Sequence, residues 1–507
     1  MRKLGLGCGL IVMTALWGCG NTANSDDMAT PDLAGADLAA TPDMAIPAVL
    51  NGTKVVTGTA QTIGVNDDGY IIYFPGGKGI SGVKLDGTDN TVKIANANSV
   101  SVSGKVVFGW ISPSNDLGFG ELWAWKSGVT AVKVADASLH GDFTKTPRTL
   151  SGAIASKDGS RILISTNATE TTTDLVVANF DGTNPTTVLT GIDISGACEL
   201  RTGFVTGKFI VGYCTANAAP DGGIASSSVI AVDMTSGSKT TLFTGVRNFF
   251  TVDSAGSKVA AVDVNQQLKW VNINGTGLVT VSPNGLVSKE LVAMNAAGTN
   301  LVWISSTDQL VRLDVSTAAQ TPVVLQTGVK LLLRISPDDS HAFIAKTVDD
   351  TTDPMNPSND IYLVSLTAAT TATTLVSTPT GAIFGDAWSL DSSRAFYYTA
   401  VTGGVGTLHA QTVTGGTDVV LGTNVWNEYA AVGDKVLFTD NYRSNNTFVD
   451  AKLIPGAGGT ASVVATNVRD DANGNIRPIM TSDGTKFIYN YTGKPASADG
   501  LYVYTVQ

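Results

Sequence analysis

An all-β body built from one small repeated unit is predicted for residues 49–507, and three observations predict it. Apolar runs of four to seven residues alternate with clusters of Gly, Asn, Asp, Ser and Thr, the pattern of short strands and tight turns. Gly supplies 55 of the 507 residues and charged residues only 15%. That balance suits turns and buried strands and is poor material for helices, which draw on Glu, Lys and Leu. A single motif also recurs along the chain: a strand, a polar turn, usually a basic residue, and a second strand. The 43% hydrophobic content is too high for a disordered chain. A net charge of −11 argues against nucleic-acid binding, which needs cations to neutralise phosphates.

The first element is an address. Arg2 and Lys3 precede an apolar run from Leu4 to Trp17. The run is shorter than the roughly 20 residues of a membrane span and matches the core of a signal peptide. Leu16-Trp17-Gly18-Cys19 then resembles the bacterial lipobox, with Trp17 where a small residue is usual. The resemblance implies cleavage after residue 18, lipid on Cys19, and a membrane anchor that does not span. Gly20, where inner-membrane lipoproteins carry Asp, implies the outer membrane, on its periplasmic or its surface side. Residues 19–48 follow as a tether. Asp27-Met28-Ala29, Asp32-Leu33-Ala34, Asp37-Leu38-Ala39 and Asp43-Met44-Ala45 recur between Pro31, Pro42 and Pro47, acidic and low in complexity, with no period that builds a core.

The body is next. Strong copies of the motif occupy 156–165, 253–262, 295–304, 336–345, 389–398 and 481–490; weaker ones occupy 66–74, 103–110, 206–213 and 433–440. The position after the turn holds Tyr70, Lys105, Arg161, Lys208, Lys258, Asn300, His341, Arg394, Lys435 and Lys486, and these residues number repeats 1 to 10. They lie about 46 residues apart, and third and fourth strands such as 174–182 and 186–191 follow each hairpin. Four short strands in 40–50 residues is the blade unit of a β-propeller. Asp and Gly in the turns fit two-residue hairpins, which need φ > 0.

At Ser336-Pro337-Asp338 the sequence resembles the TolB-type and WD-type propeller repeat, with Asp339 in place of its Gly. The resemblance implies the fold and is nearly silent on activity, because this repeat serves many functions. The tenth repeat supplies three strands, and residues 53–58 look like a displaced fourth. Pairing of the two ends would close one ring of about ten blades and remove two exposed edges. Two tandem propellers are the alternative.

Cys198 and Cys214 flank the turn of repeat 4 nearly opposite each other, within disulfide reach in an exported protein. No Gly-x-Ser-x-Gly elbow or phosphate loop occurs, and His140, His341 and His409 occupy unrelated repeat positions, so no metal or cofactor is implied. Asp349, Asp353, Asp471, Asn473 and Asn475 are weak Ca²⁺ candidates in polar loops.

The longest links, 165–173, 214–227, 346–359, 440–447, 135–150 and 467–478, leave one face of the blades. That face is the candidate binding surface. It carries His140, Phe143, Lys145, Arg148, Asp349 and Asp353, together with Tyr442, Arg443, Arg469, Asp471 and Arg477. Two function classes result. One is a non-catalytic binding or scaffold module for a protein, peptide or glycan. The other is a lyase or lactonase-like hydrolase with its site in the central channel, for which Glu199, Arg201, Glu290, Asp386 and Glu428 are the candidates.

Overall fold

The computed structural model describes residues 49–506 apart from 59, 77–78, 113–118, 140–151, 170, 195–199, 215–226, 254–255, 282–286, 317–320, 347–359, 369–372, 377–384, 390, 403–404, 444–447, 470–478, 482 and 493–495. The described residues form 38 strands and a single short 3-10 turn at Ala496–Ala498. The signal and tether regions, 1–18 and 19–48 with Cys19, lie outside them.

The strands assemble into antiparallel sheets in chain order, apart from the last sheet. Repeat 1 contributes Gln61–Val65, Tyr70–Phe74, Ile80–Lys84 and Thr91–Ile94; repeat 2, Ser99–Ser103, Val106–Ile111, Phe119–Trp125 and Val132–Leu139. Repeat 3 contributes Ala153–Ala155, Arg161–Thr166, Thr172–Asn179 and Thr186–Asp193. Repeat 6 follows the same plan from Val287–Met294 to Val323–Thr327, and repeat 7 from Leu331–Ile335 to Thr373–Val376.

Repeats 4 and 5 depart from the expected plan, as do 8 and 9. Each pair forms a seven-stranded sheet, because Lys239–Val252 and Val419–Val432 run through as single strands of 14 residues. The front half of each pairs as a fourth strand and the back half as the next first strand. The chain turns within each on a left-handed residue, Gly245 at φ 68° and Asn424 at φ 57°. No long polar link separates the repeats there, so the backbone ladder simply continues.

The turn after each first strand explains the motif. In seven repeats the N–H of the residue after the turn is accepted by a side chain four or five positions earlier. Ser156, Ser336, Ser389 and Thr481 accept from Arg161, His341, Arg394 and Lys486. Asn66, Asp253 and Asn295 accept from Tyr70, Lys258 and Asn300. These are longer side-chain-closed turns; in repeat 3 the strands first pair at Ala155 and Ile162. The expected two-residue geometry holds for repeats such as 4, where Val205 pairs with Lys208. The basic residue also has a task. Arg161 Nε donates to Met234 O of repeat 4 at 2.6 Å, and Lys258 Nζ donates to Gly298 O of repeat 6 at 3.0 Å. Each such bond ties one repeat to the next.

Second strands are buried on both sides. Val106–Trp110 and Ala342–Ala345 are fully covered, which is why they read as continuous apolar runs rather than alternating ones. Their cover comes from neighbouring sheets. One cluster joins repeats 7 and 8 through Phe343, Leu363, Trp388 and Tyr397, with the Phe343 and Trp388 rings 4.5 Å apart. Another joins Ile71, Tyr73 and Val83 of repeat 1 to Ile488, Leu501 and Val503 of repeat 10 through Val55 and Val56. Burying each such side chain contributes about 1.5–3 kcal/mol.

The last sheet runs Ile479–Met480, Lys486–Tyr491, Gly500–Thr505 and then Thr53–Thr57. Lys54 lies opposite Tyr502 and Val56 opposite Leu501, with Val55 in the bulge between them. The preceding residues also pair, which the sequence did not reveal. Leu50 bridges Ala465, and Asn51 N donates to Val464 O at 2.8 Å, so residues 49–51 cover the outer strand of repeat 9.

Candidate functional site

The expected binding face is located only in part. His140, Phe143, Lys145, Arg148, Asp349, Asp353, Asp471 and Arg477 lie outside the described residues, as do Asn473 and Asn475 of the Ca²⁺ candidates. Among the described residues no group of three His, Cys, Asp or Glu side chains is placed to hold a metal.

Three face residues require a correction. Tyr442 and Arg443 end the strand Lys435–Arg443, and Arg469 ends Ser462–Arg469; none sits in a loop. The apolar-aromatic stretch around Phe448 extends the ladder further than its turn-forming neighbours suggested. Arg443 pairs with Phe448 and Phe448 with Arg469, so the three hold neighbouring backbone positions at one end of repeat 9. The link expected at 165–173 is likewise shorter, because strands reach Thr166 and restart at Thr172. Thr169 holds it closed by accepting from Thr172 N at 3.0 Å.

Cys214 is disulfide-bonded and ends the second strand of repeat 4; Cys198 lies outside the described residues. Glu199 lies outside them too. The other channel candidates fall on first strands. Arg201 opens the first strand of repeat 4. Glu290, Asp386 and Glu428 occupy interruptions of the ladder, between Val287 and Val292, Gly385 and Ala387, and Trp426 and Tyr429. Arg247 occupies a fourth, between Val246 and Phe250. The sequence reading missed it because the long strand hid the start of repeat 5. Bulges that re-aim side chains are common beside active and binding sites.

One side-chain network has the layout of a proton relay. Thr399 Oγ1 lies 2.8 Å from His409 Nε2, His409 Nδ1 lies 2.6 Å from Asp418 Oδ2, and Tyr397 donates to Asp418 Oδ1 at 2.7 Å. The His409 ring stacks on Tyr397 with centroids 5.1 Å apart. Burial, reinforced by the Asp418 carboxylate, pushes the Tyr397 hydroxyl pKa upward.

Repeat 1 carries the tyrosine bond of this network. Tyr73 pairs with Ser81 and donates to Asn90. In repeat 10, Tyr489 donates to Asn51 O at 2.7 Å. Each tyrosine stands three residues after the repeat's marker residue and fastens the second strand to the residue or two before the fourth. The shared element is therefore a structural tie made by the tyrosine hydroxyl, to which repeat 8 adds His409 and Thr399. His341 needs no special role either. It holds the marker position of repeat 7, and burial lowers its pKa.

No protein-family model matches the chain, and no curated protein matches it. Solved structures do. A eukaryotic initiation factor structure is 12% identical over 72% of this chain and 88% of its own, with a TM-score of 0.46. Oligogalacturonate lyase in complex with manganese is 12% identical over 90% and 99%, with a TM-score of 0.33. A putative TolB from Agrobacterium tumefaciens is 14% identical over 53% and 94%, with a TM-score of 0.27. The fold assignment rests on the strand pairing and the inter-sheet clusters of this chain.

Proposed function

We propose that this chain is an exported lipoprotein, anchored through Cys19, whose body is a single ten-bladed propeller that binds a protein, peptide or glycan partner without catalysis. Pairing of Thr53–Thr57 with the last strand supports one ring over two tandem propellers, as does the cluster joining repeats 1 and 10. The observation that carries the binding reading is the end of repeat 9. Arg443, Phe448 and Arg469 occupy neighbouring strand positions there, at the edge from which the links 444–447 and 470–478 leave. Arginine and aromatic residues are the side chains most enriched in binding hot spots. The recurrence of the Tyr397–Asp418 bond as a tyrosine tie in repeats 1 and 10 gives those two residues a structural task.

The test is affinity capture with the soluble body, residues 49–507, beside an Arg443→Glu/Arg469→Glu variant. One stoichiometric partner, held by the wild type and lost by the variant, is expected. Capture unaffected by the double variant sinks the assignment of this face. Anchoring is tested separately by mass spectrometry of the mature N-terminus and by Cys19→Ser, which should move the protein to the soluble fraction.

A second reading has one observation in its favour. Arg247, Glu290, Asp386 and Glu428 fall at first-strand bulges. A lyase or lactonase-like hydrolase at the channel mouth would lose turnover on Glu290→Gln or Glu428→Gln while keeping its melting temperature.

A further inference from the structure

We infer that the acidic tether, residues 20–48, docks on the end of repeat 9 that carries Arg443, Phe448 and Arg469. The tether lies outside the described residues, but its point of entry does not. Leu50 bridges Ala465 antiparallel, Val49 N donates to Thr466 Oγ1 at 2.8 Å, and Thr466 N donates to Val49 O at 2.9 Å. These bonds fix the direction of the chain. Traced backward from Leu50, it heads along the outer strand of repeat 9 toward Arg469, which closes that strand three positions beyond Thr466. Three strand positions are about 10 Å, and Arg443 lies two strands further in, about 10 Å again. Asp43 precedes Val49 by six residues, a reach of up to about 20 Å, and Asp37 by twelve, up to about 40 Å. Both arginines are therefore within range of the tether's aspartates.

The compositions match. Residues 20–48 hold five aspartates and no lysine, arginine, histidine or glutamate. Four of the five open the triplets Asp27-Met28-Ala29, Asp32-Leu33-Ala34, Asp37-Leu38-Ala39 and Asp43-Met44-Ala45. Each copy thus offers one carboxylate beside one flexible apolar side chain. The end of repeat 9 offers the converse, two arginines and one phenylalanine at adjoining positions. Arginine takes carboxylates bidentately, and Phe448 is an apolar match for Met or Leu. Two acids near this end are already engaged. Asp440 accepts from Lys452 Nζ at 2.6 Å, and Asp450 accepts from Asn441 Nδ2 at 2.9 Å. Asp470 and Asp471, next in the chain after Arg469, lie outside the described residues.

A single exposed ion pair is weak, but this ligand is attached to its site. A short linker presents it at an effective concentration of about millimolar, and four copies of the triplet take turns. Attachment also gives the contact a consequence. The docked tether occupies the face that the binding reading assigns to a partner, so an acidic partner must displace it. The inference rests on that reading for this consequence and not for the contact itself.

The test uses the chain after signal cleavage, residues 19–507, with Cys19→Ser and a dye on Ala36→Cys, read by fluorescence anisotropy. The dye should be restrained in about 10 mM salt and released in about 1 M, where the screening length falls from about 30 Å to about 3 Å. Arg443→Glu/Arg469→Glu should lower the ratio of docked to free tether at least about fivefold in low salt. That variant alone does not separate lost docking from a disturbed strand end, and a charge swap does. Asp32→Lys/Asp37→Lys/Asp43→Lys in the same background should restore the restraint. A free dye in low salt, restraint that ignores the arginines, or a swap that restores nothing would overturn the inference. So would restraint that grows with protein concentration, the mark of tethers exchanged between copies. Partner capture separates the docking from the binding reading. A free tether with capture still dependent on Arg443 and Arg469 overturns the docking alone. A docked tether with capture indifferent to them supports the docking and overturns the reading.

Discussion

The acids of the repeat turns do electrostatic work out of proportion to their exposure. Ser156, Ser389 and Thr481 donate their hydroxyls to Asp158, Asp391 and Asp483 at 2.6 Å, while backbone N–H groups close the other side. Hydrogen bonds from Ser156 and then Ser160 pull the Asp158 pKa down to about 2. Asp391 and Asp483 are lowered by the same kind of partner. A depressed folded-state pKa stabilises the fold above the unfolded value near 4 and loses that contribution as pH falls toward 2. Denaturant unfolding followed from pH 6 to pH 2 should therefore show stability declining through this window. Asp158→Asn should cost roughly 1 kcal/mol at pH 6, after allowance for solvent screening, and almost nothing at pH 2. An equal cost at both ends would mean that the turn is held by shape alone. The tie in repeat 8 gives a second residue-scale prediction. Tyr397→Phe removes the bond to Asp418 and should cost about 1 kcal/mol, whereas Asp418→Ala also removes the partner of His409 and should cost more; the double variant should cost little more than Asp418→Ala alone. Additive losses in the double-mutant cycle would separate the two residues.

At the scale of the element, the displaced fourth strand is where a small change should do most harm. Gly500 opens the last strand at φ +157°, and a Cβ there would fall 2.0 Å from Val56 O. Gly500→Ala must push Thr53–Thr57 off its partner, with an expected loss of about 2–4 kcal/mol. Gly207→Ala, at φ +76° with open space around it, should cost only about 1 kcal/mol. Thermal melts of both variants check the contrast, and similar losses would mean that the end pairing contributes little. The displaced strand was readable from the sequence because residues 53–58 copy the composition of other fourth strands. So were the hairpins, since their polar turns and fully buried second strands leave a strong local signal. Three things were not readable. The fused sheets depend on whether Gly245 and Asn424 bend a strand or end it, and both outcomes use the same residues. The pairing of residues 49–51 with repeat 9 is a long-range edge contact with no apolar pattern of its own. Tyr442, Arg443 and Arg469 read as loop because charged and polar residues at strand ends resemble loop composition, while the ladder there is held by backbone bonds.

At the scale of the whole molecule, the chain ends meet in one sheet, and this contact joins residues more than 440 positions apart. A sheet stack without it exposes two edges, the outer one of Gly500–Thr505 and the one of Ser462–Arg469 that residues 49–51 cover. Removing residues 49–57 should thus increase self-association relative to the intact chain, measurable by size-exclusion chromatography with light scattering. A covalent version tests the same contact from the other direction. Thr53 and Val503 are direct cross-strand partners, a separation compatible with a disulfide. Thr53→Cys/Val503→Cys should oxidise spontaneously in air. The bridge would span nearly the whole body, so the chain-entropy model assigns it a large effect, of order 5 kcal/mol before native-state strain. The oxidised variant should melt well above its reduced form, and reduction should return it close to the wild type. If the two cysteines stay reduced in the folded protein, or the bridge leaves the melting temperature unmoved, the ends do not hold the body together and the single-ring reading fails with them.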